Sequence, residues 1–169
     1  MAAPGEDVQV RTSSEATQNF VESFYPSLTS KRSTITSFYE PASKMADGKS
    51  LPDITFNGNI YGEPVDFQNL FEKDMPRTHF DIQSYDCHII NPNYLPSDSK
   101  EKPVLPGKNM SLLVSVSGTV QFGDDADAEE RAFSESFVLV PNEDFHAAKN
   151  RGSGKKEWLI QSQNFRLVV

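Results

Sequence analysis

The alternation of side chains between residues 110 and 122 is the feature that most restricts how this chain can fold. Every second position there is apolar, and these positions are Leu112, Val114, Val116, Val120 and Phe122. The positions between them are small or polar, and they are Ser111, Ser115, Ser117, Thr119 and Gln121. Because successive side chains of a strand point to opposite faces, the pattern predicts a strand with one face in a core. The chain must therefore form a sheet that is covered on one side.

The following two predicted strands repeat this division of faces. Phe133, Phe137 and Leu139 alternate with Ser134, Ser136 and Val138. Leu159, Phe165 and Leu167 alternate with Ile160, Ser162, Asn164 and Arg166. A sheet face in water usually carries Lys, Glu and Arg, so small polar side chains favour the close approach of another protein surface. An ordinary hydrated face is the alternative that the residues leave open.

We call this second, predicted protein-binding face the polar face. Its residues are Ser115, Ser117, Thr119, Ser134, Ser136, Val138, Ile160, Ser162, Asn164 and Arg166.

Three helical segments and a four-strand meander are predicted along the chain. The helical segments cover about 15–28, 29–39 and 63–75, where apolar residues recur at helical spacing. Pro41 and Pro76 end the second and the third of them. The strands cover 78–90, 110–121, 131–140 and 156–167. Helices that precede a strand meander are typical of an α+β fold with a mostly antiparallel sheet.

The same pattern predicts one domain with two irregular regions. Residues 1–13 contain few apolar side chains, so we expect a flexible N-terminus and a single domain over 14–169, with Ser14 as the first N-cap. The Asn57-Gly58 pair predicts a tight turn after a short strand. The segment 91–109 contains four prolines, and we expect a long exposed loop there.

The charge of the chain argues against a general affinity for nucleic acid. The sequence has 16 Lys and Arg against 24 Asp and Glu, a net charge of −8. Positive charge is concentrated in two loops, and such local charge can contact phosphates on an acidic protein. The candidate RNA contacts are Lys100, Lys102, Lys108, Lys149, Arg151, Lys155 and Lys156. Solvated loops are the alternative.

Catalytic and metal-binding patterns are weak. The three histidines do not lie at ligand spacing from carboxylates or from Cys87, so we expect no metal site and no bound cofactor. General acid–base chemistry would require Tyr39, His79, Asp81 and Asp86 to converge in a cavity, and we favour reading the carboxylates and imidazoles as surface strand residues. A single cysteine forms no intramolecular disulfide, which fits a reducing compartment. We also expect neither a secretory signal nor a membrane-spanning run of about 20 apolar residues.

An ordered set of short motifs carries a family resemblance over residues 14–169. The motifs are Asn19-Phe20-Val21, Phe24-Tyr25, Phe38-Tyr39, Thr55-Phe56-Asn57-Gly58, His79-Phe80-Asp81-Ile82, Val116-Ser117-Gly118-Thr119-Val120, 133–139 and Phe165-Arg166-Leu167. In this order they resemble the nuclear transport factor 2-like family. The resemblance implies a cone in which three N-terminal helical segments pack on a strongly curved, mostly antiparallel sheet.

Within that family, the proline-rich insertion after Asp86 and the last strand resemble the small subunits of the fungal mRNA export receptors, the mRNA transport regulators. The resemblance implies a non-catalytic protein that forms a heterodimer with the large receptor subunit, sheet against sheet. It also implies docking at phenylalanine-glycine nucleoporins, contacts of loops with RNA or pre-ribosomal particles, and shuttling between the nucleus, the nuclear pore and the cytoplasm. Arg166 would then face a carboxylate of the partner.

The family leaves two further functions open. One is a cavity-bearing isomerase or dehydratase, which would need an empty cone and a carboxylate of raised pKa. The other is a homodimeric transport factor for a small GTPase. We expect phenylalanines to fill the cone, which favours the scaffold over the enzyme. These residues are Phe20, Phe24, Phe38, Phe71, Phe80 and Phe137.

Overall fold

A long helix lies against a six-stranded sheet in the computed structural model, which describes residues 5–95, 107–146 and 154–169. The helices are α1 (Glu6–Ser30), a 3₁₀ helix (Arg32–Phe38), α2 (Pro64–Asn69) with a π-helical extension (Leu70–Asp74), and α3 (Glu143–His146). None of the helices in these ranges is long and apolar enough to cross a membrane.

Within the described residues, eight strands form two sheets. The strands are β1 (Ser43–Lys44), β2 (Ser50–Leu51), β3 (Asp53–Phe56), β4 (Asn59–Tyr61), β5 (Thr78–Asn91), β6 (Ser111–Phe122), β7 (Glu130–Pro141) and β8 (Trp158–Leu167). The main sheet has the order β4-β3-β8-β7-β6-β5, in which only the β3–β8 pair is parallel. The predicted α+β class, the meander and the three helical segments are confirmed.

The first helix begins earlier than the sequence predicted. We expected ordered structure to start near Ser14, and this is wrong, because α1 begins at Glu6. Ser14, the predicted N-cap, instead lies well inside α1 with its side chain exposed. The neighbouring hydroxyls of Ser13 and Thr17 donate to the carbonyls of Val10 (2.9 Å) and Ser13 (2.8 Å) within the helix. The Glu6 and Asp7 carboxylates in the first turn stabilise the helix, because they lie at the positive end of its dipole.

Phenylalanine rings fill the space between α1 and the concave side of the sheet. Phe20 and Phe24 each pack edge-on against Phe137 of β7, with ring centroids 4.9 Å and 5.3 Å apart. Phe56 of β3 stacks face to face on Phe165 of β8 at 4.3 Å. These rings and the adjacent ones are buried, apart from the half-buried Phe80, so the predicted filling of the cone is confirmed.

The short turn after β3 forms as its composition indicates. Asn57 and Gly58 both adopt positive φ, 48° and 87°, and close the β3–β4 hairpin as predicted. The prediction of a long exposed loop over 91–109 falls largely on residues 96–106, which lie outside the described residues. At the base of that segment, Asn109 accepts hydrogen bonds from the backbone N–H groups of Tyr94 and Leu95.

The edge strand β5 lies close against β6 at Gly118. A Cβ built on Gly118 would lie 2.1 Å from the Asp81 carbonyl oxygen, next to the register shift between Ile82 and Ser84. This contact is with backbone, so a larger residue must push the strands apart.

We therefore expect Gly118→Ala to lower the free energy of unfolding by about 2 kcal/mol, because overpacking against backbone is not relieved by a side-chain rotation. Urea unfolding measures this. Gly62→Ala is the matched control, since a Cβ added at Gly62 would meet no atom within 4 Å, and it should change stability by less than about 0.5 kcal/mol. Equal stabilities of the two variants would contradict the close approach.

Candidate protein interface

The side of the sheet that faces away from α1 carries the polar face. Strand register aligns its residues in two cross-strand rows over β5, β6, β7 and β8. One row is Ser84, Ser117, Ser134 and Arg166, and the next is Asp86, Ser115, Ser136 and Asn164. Most of these side chains are exposed, and Ser136 is half-buried. The structure thus places the serines and Asn164 predicted for this face next to one another.

The remaining residues of the polar face border these rows. Thr119 hydrogen bonds to the Glu130 carboxylate of β7, and Val138 pairs with Ser162 of β8. All three predicted residues are half-buried. Together with the two rows they form a continuous surface, mostly of short side chains, on the outer side of the sheet.

One predicted member does not belong to this surface. Ile160 is completely buried in the core, and its carbonyl accepts a hydrogen bond from the Glu40 N–H. The cause is a register shift: Ser162 pairs with Val138, but Ile160 pairs with Leu139, which leaves Gln161 unpaired in the ladder. A β-bulge reverses the facing of the residues beyond it, so simple alternation fails at this point.

Arg166 is the cation of the polar face. Its side chain is exposed near the end of β8, opposite Ser134. Within the described parts of the chain, its guanidinium has neither a hydrogen-bond acceptor nor a carboxylate partner. It is therefore available for a carboxylate on another molecule.

The basic residues predicted to contact RNA are separated by the structure into two groups. Lys100, Lys102, Lys149 and Arg151 lie outside the described residues. Of the others, Lys108 forms an ion pair with Glu157 (2.5 Å), and the Lys156 ammonium lies 4.4 Å from the centre of the Phe38 ring. The Lys155 ammonium lies 3.9 Å from the Asp144 carboxylate.

Lys108 and Lys156 line one groove of about 250 Å³ between α1 and the start of β8. Glu15 and Glu157 line the same groove, so its charge is balanced. Partners within the chain already engage both lysines, which makes them weaker candidates for phosphate contacts than the sequence indicated.

The residues considered for acid–base catalysis do not converge. His79 pairs with Asp124 at 2.6 Å on the surface, and Asp86 lies 3.4 Å from His88 on β5. Asp81 is exposed, whereas Tyr39 is buried on the inner side of the sheet. Among the described residues no group of three or more His, Cys, Asp or Glu side chains is arranged to hold a metal ion.

Behind the polar face lies a buried polar network that sequence reasoning missed. Glu135 of β7 accepts hydrogen bonds from the Tyr25 hydroxyl (2.7 Å) and from the Gln163 amide (2.7 Å). The Tyr39 hydroxyl donates to the Gln163 carbonyl oxygen. All four residues are at most 4% exposed. The signal was present in the sequence, because Glu135 lies between Phe133 and Phe137 at core parity.

Burial shifts the ionisation of this network. It raises the pKa of Glu135 to about 7, against the opposing effect of the hydrogen bonds from Gln163 and Tyr25. Burial, together with the nearby Glu135 charge, also raises the pKa of Tyr25 and of Tyr39 well above 10. The two phenols are therefore neutral near pH 7, while the carboxyl group is half ionised.

A second groove lies between α1 and β5, with a volume of about 510 Å³. Tyr25, Phe80, Ile82 and Tyr85 form much of its wall. Neither Glu135 nor Asp81 lines it, and both Glu135 oxygens are already engaged by Tyr25 and Gln163. The groove is of ligand size, but no described carboxylate of raised pKa points into it.

Comparison with known proteins connects this geometry to one family. The profile of the Nuclear transport factor 2 (NTF2) domain matches residues 16–151. A chain in the structure of a Sac3N peptide bound to Mex67:Mtr2 is 26% identical, with a TM-score of 0.72 over 92% of this chain and 99% of that chain. A structure of Mtr2 is 25% identical, with a TM-score of 0.69 over the same shares.

A third structure, the Chaetomium thermophilum Mex67 NTF2-like domain complexed with Mtr2, contains a chain that is 24% identical. Its TM-score is 0.69 over 92% of this chain and 98% of that chain, which supports the fold. No curated protein sequence matches significantly.

The raised pKa of Glu135 predicts that stability falls with rising pH. The unfolded chain ionises this carboxyl group near pH 4.5 and the folded chain near 7, so folding retains a proton between these values. The stabilising contribution is complete below about pH 4.5 and is lost as the pH rises through 7. We expect the free energy of unfolding to be about 2 kcal/mol lower at pH 8 than at pH 5 because of this group.

Urea unfolding of the wild type and Glu135→Gln at both pH values measures this effect. The variant should lose most of the difference, because its amide does not ionise. Glu129→Gln, at an exposed hairpin position, is the control and should behave as the wild type. An unchanged pH dependence in Glu135→Gln would show that other groups cause it.

Proposed function

The chain belongs to the nuclear transport factor 2 (NTF2) domain family, and we propose that it acts there as the small, non-catalytic subunit of a heterodimeric mRNA export receptor. Its partner would be the NTF2-like domain of a large, Mex67-type subunit. The observation that carries the proposal is the exposed polar face on a chain that matches Mtr2 over almost its whole length.

The short side chains of the polar face suit packing against a second sheet. Two sheets pack face to face at about 10 Å, and side chains from both must fill that space. Serines in register on β6 and β7 leave room for larger side chains of a partner. Long charged side chains would hold a second sheet away, and neither β6 nor β7 places one in the two cross-strand rows.

Arg166 supports a specific orientation in the heterodimer. An exposed arginine without a partner in the described chain can form a two-pronged ion pair with a carboxylate of the partner. Once covered by a second sheet, this charge must be paired, because an unpaired buried charge costs several kcal/mol. Arg166 therefore contributes specificity as well as affinity.

The finer parts of the proposal concern transport. The heterodimer would dock at phenylalanine-glycine nucleoporins, pass through nuclear pores and shuttle between nucleus and cytoplasm. A further role in export of large ribosomal subunits, through contacts of the basic loops with RNA or pre-ribosomal particles, belongs to the same proposal. Similarity to Mtr2 supports this reading, and the charges at Lys100, Lys102, Lys149 and Arg151 would supply the contacts.

A cavity-bearing enzyme is the second candidate, and Glu135 is the observation in its favour. A buried carboxyl group with a pKa of about 7 beside a tyrosine is typical of acid–base sites. Catalysis would require a free oxygen aimed at a substrate, whereas Tyr25 and Gln163 occupy both oxygens. The network therefore supports a structural role, and the proposal of a scaffold stands above that of an enzyme or of a homodimeric carrier of a small GTPase.

The heterodimer proposal predicts that Arg166→Glu weakens binding to the Mex67-type domain by about 100-fold, equal to about 3 kcal/mol, because it places like charges together in a dry interface. Isothermal titration calorimetry measures the affinity, and light scattering after size-exclusion chromatography measures the stoichiometry. The wild type should form a one-to-one complex.

Arg11→Glu is the matched control, since Arg11 is exposed on α1, which packs on the opposite side of the sheet. It makes the same change in charge and should bind as the wild type. Undiminished affinity of Arg166→Glu would remove Arg166 from the interface. A stable homodimer that ignores the partner would overturn the proposed function.

The RNA contact predicts a loss of affinity when four loop cations are replaced together. We expect the variant with Lys100, Lys102, Lys149 and Arg151 changed to Glu to bind single-stranded RNA about tenfold more weakly at about 0.15 M salt, because phosphate contacts dominate such binding. Fluorescence anisotropy measures it. The control changes four exposed lysines away from these loops to Glu, namely Lys31, Lys44, Lys49 and Lys73. Equal losses in both variants would indicate only net charge.

A further inference from the structure

The buried carboxyl group of Glu135 calls for an explanation beyond the structural role of its hydrogen bonds. It is the only Asp, Glu, Lys or Arg side chain buried among the residues that the structure describes. Replacing a buried charged group by an apolar one is often neutral or stabilising, so stability alone does not explain it. Its position relative to the polar face indicates a task.

Residues of the buried network alternate with residues of the polar face along β7 and β8. On β7, Glu135 points inward between the outward-facing Ser134 and Ser136. On β8, Gln163 points inward between Ser162 and Asn164. The hydrogen bonds from α1 through Tyr25, and from the end of the 3₁₀ helix through Tyr39, hold both strands from behind.

We propose that Glu135 is a positioning residue that couples the protonation of the core to the polar face, so that association with the partner sheet takes up a proton. The proposal rests on the proposed heterodimer. It identifies pH as a regulator of that interface.

The physical basis is the solvation of the carboxylate through the sheet. In the free subunit, water covers the outer side of β7 and β8 and stabilises a charge on Glu135 at a distance of one sheet thickness. A partner sheet removes this water, and the ionised form is then less favourable. The complex therefore prefers the neutral acid more strongly than the free subunit does.

The network has a consistent arrangement for each protonation state. As a carboxylate, Glu135 accepts from Tyr25 and Gln163, which is the arrangement in the structure. As an acid, it can donate to the Tyr25 oxygen and still accept from Gln163. Proton uptake therefore reverses the hydrogen bond between Glu135 and Tyr25 and turns the Tyr25 hydroxyl hydrogen away from Glu135.

Other ionisable groups near Glu135 are few. Tyr25 of α1 and Tyr39 after the 3₁₀ helix stay neutral between pH 6 and 8, because burial raises the pKa of each well above 10. Val116 of β6 and Phe165 of β8 are its uncharged partners in register. On the outer side of the sheet lie the side chains of Asp86 and His88 of β5 and of Arg166 of β8.

The direction in which affinity changes with pH follows from proton linkage. If the complex binds more protons than its free components, affinity decreases as the pH rises. A rise of about half to one pKa unit on association gives an affinity about threefold to tenfold weaker at pH 8 than at pH 6.

Calorimetry of the full chain with the NTF2-like domain of a Mex67-type subunit, at pH 6, 7 and 8 and in buffers of different ionisation enthalpy, measures both affinity and proton uptake. The wild type should take up a fraction of a proton at pH 7, and Glu135→Gln should abolish the part due to this group. His88→Gln is the control and should retain it.

The outcomes separate the two proposals. A complex without proton uptake, or uptake that Glu135→Gln retains, would overturn the coupling and leave the heterodimer intact. Failure of the wild type to form any complex at the three pH values would overturn the proposed function itself. The wild-type measurement can overturn the coupling even if Glu135→Gln folds poorly, because the absence of proton uptake is seen without a variant.

Discussion

Aromatic packing between α1 and the concave side of the sheet determines which side of this molecule is left free. Phe20 and Phe24 of the helix lie against Phe137 of β7. Because successive side chains of a strand point to opposite faces, the residues next to Phe137 in β7 lie on the side of the sheet that faces away from α1. Ser136 and Val138 are therefore kept out of the core by the same interaction that fills it. The polar face follows from where the phenylalanines are.

The hydrogen-bond network adds a second constraint inside that aromatic core. A buried carboxylate is unfavourable by several kcal/mol unless it is hydrogen bonded, and Glu135 obtains two donors from different elements. Loss of the Tyr25 or Gln163 donor would leave the charge uncompensated. Polar geometry as well as apolar contact thus specifies the positions of α1, β7 and β8 relative to one another. Apolar packing alone would specify these positions less sharply.

Much of this fold was predictable, because its strands alternate regularly and its second and third helical segments end shortly before Pro41 and Pro76. The four long strands and the Asn57-Gly58 turn were placed correctly for that reason. Ile160 was misplaced because a bulge at Gln161 changes parity, and a single sequence contains no local signal for an unpaired residue in a ladder. The start of α1 was missed because Ser14, an exposed serine inside the helix, resembles a serine that caps one.

The candidate site was predictable only on its outer side, where serines at alternate positions indicated the polar face. Glu135 stood at core parity in the sequence, but its partners Tyr25 and Gln163 lie 110 and 28 residues away. Long-range hydrogen bonds of this kind are set by topology, and alternation carries no information about them.

A sheet face of serines poses a physical question about affinity. Hydroxyl groups are well solvated, so the two cross-strand rows expose little apolar surface in the free subunit. Covering these rows therefore yields less hydrophobic stabilisation than covering an apolar face would. Tight association must then come from the larger side chains of a partner that fill the space over the serines, and from the pairing of Arg166. The polar face is therefore compatible with a free subunit in water and selective for a partner of complementary shape, and two copies of the same shallow surface would leave the space between them unfilled.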